Sequence, residues 1–95
     1  MKKIVAAMLM CAAAGAMAQP EQYASSCGVC HTSGAANAPK THDVDAWAPR
    51  MEKGMPALLE SVHNGLNAMP PKGMCFTCTD EQYTALIEYM AKPAE

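Results

Sequence analysis

Two cysteines and a histidine stand at positions 27, 30 and 31, in the run Cys27-Gly28-Val29-Cys30-His31. On a helical turn, residues three and four apart share a face. Relative to Cys27, Cys30 is the third residue and His31 the fourth, so the two sulfurs and the imidazole project to one side. Gly28 and Val29 point elsewhere, and their small size lets a bulky group approach the backbone. Whatever fold the chain adopts must leave room beside this turn.

The pattern Cys-x-x-Cys-His is the c-type haem attachment pattern, with two thiols to bond the vinyl groups and an imidazole for the iron. Two other readings use the same residues. A thioredoxin-type dithiol also carries Cys-x-x-Cys, but at a helix N-terminus after a strand, where the dipole lowers the thiol pKa. Here the pair ends an expected helix. A zinc site drawing on Cys27, Cys30, Cys75 and Cys78 would have to span the 44 residues between the pairs, far beyond ribbon spacing.

Composition makes a bound group more pressing. Residues 1–18 read as a secretory signal peptide, with Lys2 and Lys3, an apolar run from Ile4 to about Ala14, and the small-residue ending Ala16-Met17-Ala18. Cleavage is expected after Ala18, which makes residues 19–95 one domain in the periplasm, where disulfides persist. The apolar run is shorter than the roughly 20 residues of a membrane span. Cys11 follows Met10 rather than a small residue, which disfavours a lipoprotein site. Leaving the leader and the four remaining cysteines aside, the domain has eighteen apolar side chains larger than alanine. So thin a core needs a metal, disulfides or a cofactor to complete it.

The domain reads as all-α. A first helix is expected from Pro20 to about Cys30, followed by an irregular stretch over 32–44. Asp45 is expected to cap a short helix running to Lys53, with Pro49 in its first turn and Gly54 ending it. A third helix starts at Met55-Pro56, places Met55, Leu58, Leu59, Val62 and Leu66 on one stripe, and stops at Gly65. After a loop over 67–78 stiffened by Pro70-Pro71, Thr79 and Gln82 form a capping box for the last helix. Tyr83, Leu86, Ile87 and Met90 are its buried stripe, and Pro93 ends it. Tyr23 is expected to meet Tyr83 or Tyr89 where the first and last helices cross.

The ordered set of motifs is more specific than the haem pattern alone. Cys-Gly-Val-Cys-His at 27–31 is followed by Gly-Ala-Ala-Asn-Ala-Pro-Lys at 34–40 and Trp-Ala-Pro-Arg at 47–50. Then come Asn-Gly-Leu-Asn-Ala-Met-Pro-Pro-Lys-Gly at 64–73, Cys-x-x-Cys at 75–78 and Tyr-Thr-Ala-Leu-Ile-Glu-Tyr-Met at 83–90. Over nearly all of residues 20–92 this resembles cytochrome c5, a small class I cytochrome c of Gram-negative bacteria. The resemblance implies a class I cytochrome c fold, a few helices wrapped around one haem c bonded to Cys27 and Cys30. It implies a Cys75–Cys78 disulfide, and a hydrogen bond from His31 to the Pro39 carbonyl.

His31 supplies one iron ligand. Met69 is the expected second, since Pro70 extends the residue before it and a stiff loop reorganises little when the iron changes charge. Met74, His42 and His63 are the alternatives; both histidines are expected at the surface. Trp47 and Arg50 are expected at the haem propionates, the first through its indole N–H and the second through its charge.

An iron with both axial positions filled by protein has no open site for a small-molecule substrate. The resulting expectation is an electron carrier, not an enzyme. Its donor would be a quinol-oxidising complex or another cytochrome, and its acceptor a terminal oxidase or reductase. It would work as a monomer or weak dimer. The net charge of −4 after the leader argues against nucleic acid and anionic membrane as partners. A haem enzyme or gas sensor with a labile sixth ligand, and a haem-free disulfide oxidoreductase, are the rival functions.

Overall fold

The computed structural model describes residues 18–94. The expected leader lies outside the described residues except for Ala18. Among the described residues, four α-helices appear in the order α1 (Gly28–His31), α2 (Val44–Met51), α3 (Met55–Asn64) and α4 (Asp80–Ala91). Short 3-10 turns at Ala35–Asn37 and Pro71–Met74 break the two long loops. Among the described residues the one β pairing is an isolated bridge between Leu66 and Met69. No described helix is long and apolar enough to cross a membrane.

α4 organises the core. Its capping box forms as the sequence predicts: Gln82 N donates to Thr79 Oγ1 at 3.2 Å, and Thr79 N donates to Gln82 Oε1 at 2.8 Å. Tyr83, Leu86, Ile87 and Met90 are all buried. They join Tyr23, Trp47, Val62 and Cys75, with Met51, Met55, Leu58 and Leu59 packed around them. α2 and α3 both pack on α4. Tyr23 meets Tyr89 edge to face at 5.2 Å, closing the N-terminal segment onto the last helix.

The first helix is shorter than expected. Residues 21–27 are turns, and α1 occupies only the end of the expected span. Gly28 N donates to Tyr23 O at 2.7 Å, a bond spanning five residues rather than four. Ser26 Oγ donates to the Gln22 carbonyl, the local competition that makes serine a poor mid-helix residue. A Cβ on Gly28 would lie 2.8 Å from the Tyr23 ring, so only glycine permits this approach. The turn through 27–31 is helical nonetheless, with His31 N donating to Cys27 O at 2.9 Å.

α2 is capped by Asp43, whose side chain accepts from Ala46 N, and Asp45 falls inside the first turn instead. Starting the helix at Val44 puts Pro49 in the second turn. Proline has no N–H for the Asp45 carbonyl, a loss that is tolerable because Asp45 is exposed to water. α3 keeps its expected ends, with Gly54 before it and Gly65 after it, both at positive φ. Leu66 is not on the buried stripe of α3. It follows Gly65, is 52% exposed, and turns toward the site described next.

Candidate functional site

Two chain segments face each other across a cavity of about 490 Å³, within the usual range for a cofactor site. One wall is Ser26, Cys27, Cys30, His31 and the segment 35–39. The other is 66–70 with Gly73 and Met74, and Arg50 reaches in from α2. Residues from Ser26 to Met74 thus converge on one space, which is where the missing core material belongs.

Cys27, Cys30 and His31 reach the cavity because α1 is a single helical turn that puts all three on one side. His31 is 8% exposed, and its Nδ1 donates to the Pro39 carbonyl oxygen at 2.7 Å. A carbonyl can only accept, so Nδ1 carries the proton and a neutral ring leaves its lone pair on Nε2, the form in which imidazole binds metal. The backbone of His31 is held as well, since Thr41 N donates to His31 O at 2.8 Å. Burial pushes the Cys27 thiol up from its ordinary pKa, with the Ser26 hydroxyl opposing only part of the effect. That is the reverse of the depressed pKa a thiol–disulfide exchanger requires.

On the opposite wall, Leu66 N donates to Met69 O at 3.1 Å and Met69 N donates to Leu66 O at 2.8 Å. These two bonds close a tight turn that holds Met69 half-buried on the cavity lining. Pro70 continues in extended geometry at φ −72° and ψ 157°. Two glycines that the sequence reading did not connect with the site make this turn feasible. A Cβ on Gly65 would sit 2.8 Å from Met69 O, and one on Gly73 would sit 3.3 Å from Met69 Cε. The signal was present in the Gly-Leu-Asn-Ala-Met-Pro-Pro-Lys-Gly run, where both glycines flank the methionine at short range. Leu66 and Ala35, Ala36 and Ala38 were likewise missed, because small and apolar residues in loops carry no distinctive signal.

Met74 also lines the cavity, at 43% exposure. The two other candidate ligands do not line it. His42 is half-buried rather than at the surface, with its Nδ1 2.8 Å from the Lys92 carbonyl and its ring against Tyr89. His63 is exposed as expected, with Nε2 2.6 Å from Asp80 Oδ1.

Arg50 is the one charged residue in the lining, and its Nη1 donates to the Ala46 carbonyl at 2.6 Å. Trp47 departs from its expected role. It is 4% exposed and absent from the lining, and its indole N–H donates to the Lys40 carbonyl at 2.9 Å. The donor expected for a propionate is committed to backbone. Cys75 and Cys78 form a disulfide, with Cα atoms 5.5 Å apart. With that pair joined, no cluster of three metal-binding side chains exists among the described residues, and the four-cysteine zinc site is not assembled.

A family model described as cytochrome C oxidase, cbb3-type, subunit III matches residues 14–90. The chain is 42% identical over 79 residues to the cytochrome c5 of Azotobacter vinelandii, across 81% of this chain and 95% of that one. The chain belongs to the cytochrome c5 family. Solved structures place the fold in the same group. A mono-haem ferrocytochrome c from Shewanella putrefaciens superposes with a TM-score of 0.70 at 49% identity, covering 84% of this chain and all of that one. A cytochrome c solved in an electron transfer complex with nitrite reductase gives a TM-score of 0.67 at 45% identity, over 75% and 86% of the two chains. This member of the cytochrome c5 family is therefore a class I, monohaem c-type cytochrome, an electron carrier rather than an enzyme. The Cys27–Cys30–His31 turn and the 490 Å³ cavity suit the haem that the family implies, in donor type and in size.

Proposed function

We propose that the protein is exported to the periplasm and shuttles single electrons between respiratory partners through a haem held by Cys27, Cys30, His31 and Met69. When bound, the haem supplies the one-electron iron couple. The protein's residues do the rest. Cys27 and Cys30 fix the group covalently, so it is not lost between encounters. His31 presents Nε2, oriented by its Nδ1 bond to Pro39. Met69 lines the same cavity from a turn closed at both ends, and Arg50 would offset propionate charge on a cavity lining that contains no carboxylate.

The observation that carries the reading is the convergence of these four side chains on one cavity. Held by His31 and Met69, the iron would have a raised potential and no open position, which suits outer-sphere electron transfer. The leader-like residues 1–18 support export, and the Cys75–Cys78 bond suits an oxidising compartment. The reading gives the protein a quinol-oxidising complex or another cytochrome as donor, and a terminal oxidase or reductase as acceptor. The structural relative seen in complex with nitrite reductase supports the reductase class of acceptor.

The test is to purify the protein from a host that matures c-type cytochromes and extract it with acid–acetone. Haem should stay with the polypeptide, and Cys27→Ala together with Cys30→Ala should release it. Extraction of the haem from the unaltered protein would contradict the attachment. Carbon monoxide binding by the reduced protein at neutral pH would point instead to an open sixth position.

A further inference from the structure

Trp47 lies outside the cavity, yet it touches the apparatus that orients His31 in two ways. Its ring centroid is 5.6 Å from that of His31, with the planes tilted by 32°. Its indole N–H donates to Lys40 O, the carbonyl next along the chain from the Pro39 oxygen that accepts from His31 Nδ1. Trp47 sits in α2, where its own N–H bonds to Asp43 O at 3.1 Å, so the indole is delivered from a fixed helix. The loop it holds is anchored at other points too. Thr41 N bonds to His31 O, and Thr41 Oγ1 lies 2.6 Å from the Tyr23 hydroxyl. His42 N bonds to Met90 O at 2.6 Å. Lys40 O accepts from Asp43 N at 3.1 Å as well, so the indole N–H is the side-chain donor on the Lys40–Thr41 peptide, the unit next to the one that carries Pro39 O.

We infer that Trp47 is a positioning residue for His31, acting through the Lys40 carbonyl to hold the Pro39 oxygen against Nδ1. This rests on His31 being an iron ligand. A firm Nδ1–H bond to a carbonyl makes an imidazole a stronger electron donor to its metal, which favours the oxidised iron. Loosening the Pro39 peptide weakens that donation and raises the midpoint potential. The sign separates the two roles available to an indole N–H. A donor on a propionate offsets the carboxylate's negative charge, and removing it would strengthen that charge, favour the oxidised iron and lower the potential.

The experiment compares the holoprotein with its Trp47→Phe variant by redox titration and by proton exchange at His31 Nδ1 in the reduced state. The inference predicts an upward shift in potential and exchange on the order of fivefold faster, the factor for one lost hydrogen bond. An unmoved potential with unchanged exchange would reduce Trp47 to core filling, and a downward shift would return it to the propionate; either overturns the inference. Should Trp47→Phe fail to fold, benzothienyl-alanine at the chain's one tryptophan position keeps the bicyclic shape and removes only the N–H. The unaltered protein provides the control on the ligand. If its His31 ring protons lack the large ring-current shift of a haem ligand, the ligand assignment falls and the inference with it. A shifted His31 with an unmoved potential defeats the inference alone.

Discussion

A Cβ built on Gly65 would stand 2.8 Å from the carbonyl oxygen of Met69, with Pro71 N only 3.1 Å away. The backbone at Gly65, φ 85° and ψ 161°, is open to essentially no other residue. The end of α3 and the turn that carries Met69 therefore depend on one missing methyl group.

Gly65→Ala should destabilise the holoprotein by about 1–3 kcal/mol, the range for strained backbone of this kind. Because the strain falls on the Met69 turn, it should also loosen Met69, the proposed ligand. Denaturant unfolding measures the first effect, and carbon monoxide binding by the reduced variant measures the second. A variant as stable as the parent would show that the turn can shift without penalty.

Tyr83 provides a pH-dependent prediction. It is 3% exposed and its hydroxyl donates to the Cys75 carbonyl at 2.6 Å. Burial, followed by the negative charge of Asp80, pushes its pKa above the ordinary value of 10.0. The folded state thus holds the proton more tightly than the unfolded state does. The resulting stabilisation is fully present below about pH 10 and fades as pH rises toward the folded pKa. Tyr83→Phe should cost about 1 kcal/mol at neutral pH. The gap between parent and variant should narrow above about pH 10, as measured by urea unfolding at stepped pH. A gap that stayed constant to pH 11 would mean that the phenol titrates alike in both states.

The Cys75–Cys78 bond closes a very short loop, so its effect on the unfolded chain is modest. Chain-entropy arguments give about 2 kcal/mol for a loop of this size. Replacing both cysteines by serine should lower stability by no more than that and leave the midpoint potential unchanged. A large change in potential would instead indicate a redox role for the pair.

Thr79→Ala removes one of the two reciprocal bonds at the start of α4. A loss of about 1 kcal/mol is expected, without change in the visible spectrum. The helix is the core's main support, but its N-terminal cap lies away from the cavity lining.

What could be read from the sequence was governed by how local its causes were. The capping box of Thr79 and Gln82 and the Tyr83–Leu86–Ile87–Met90 stripe are set within one helix, and both appear as expected. The Cys27–Cys30–His31 turn is equally local. The stretch before it was misjudged because the approach of Tyr23 to Gly28 breaks the helix, and that contact is not encoded in residue spacing. Asp43 and Asp45 are two acids within reach of one helix start, and choosing between them depends on where the preceding loop delivers the chain. Trp47 was misplaced for a similar reason. An indole N–H needs an acceptor, but only the path of the 39–42 loop reveals that Lys40 O supplies it. Leu66 fits the period of α3 on paper, and Gly65 removes it from the helix before that period can act.

Met69 is the proposed second iron ligand, with His31 as the first. The most direct measurement is the far-red region of the oxidised visible spectrum, where iron–thioether bonding gives a weak band, recorded for the parent and for Met69→Ala. The band should be present in the parent, lost in the variant and retained in Met74→Ala. A band that survived in Met69→Ala and vanished in Met74→Ala would contradict that assignment.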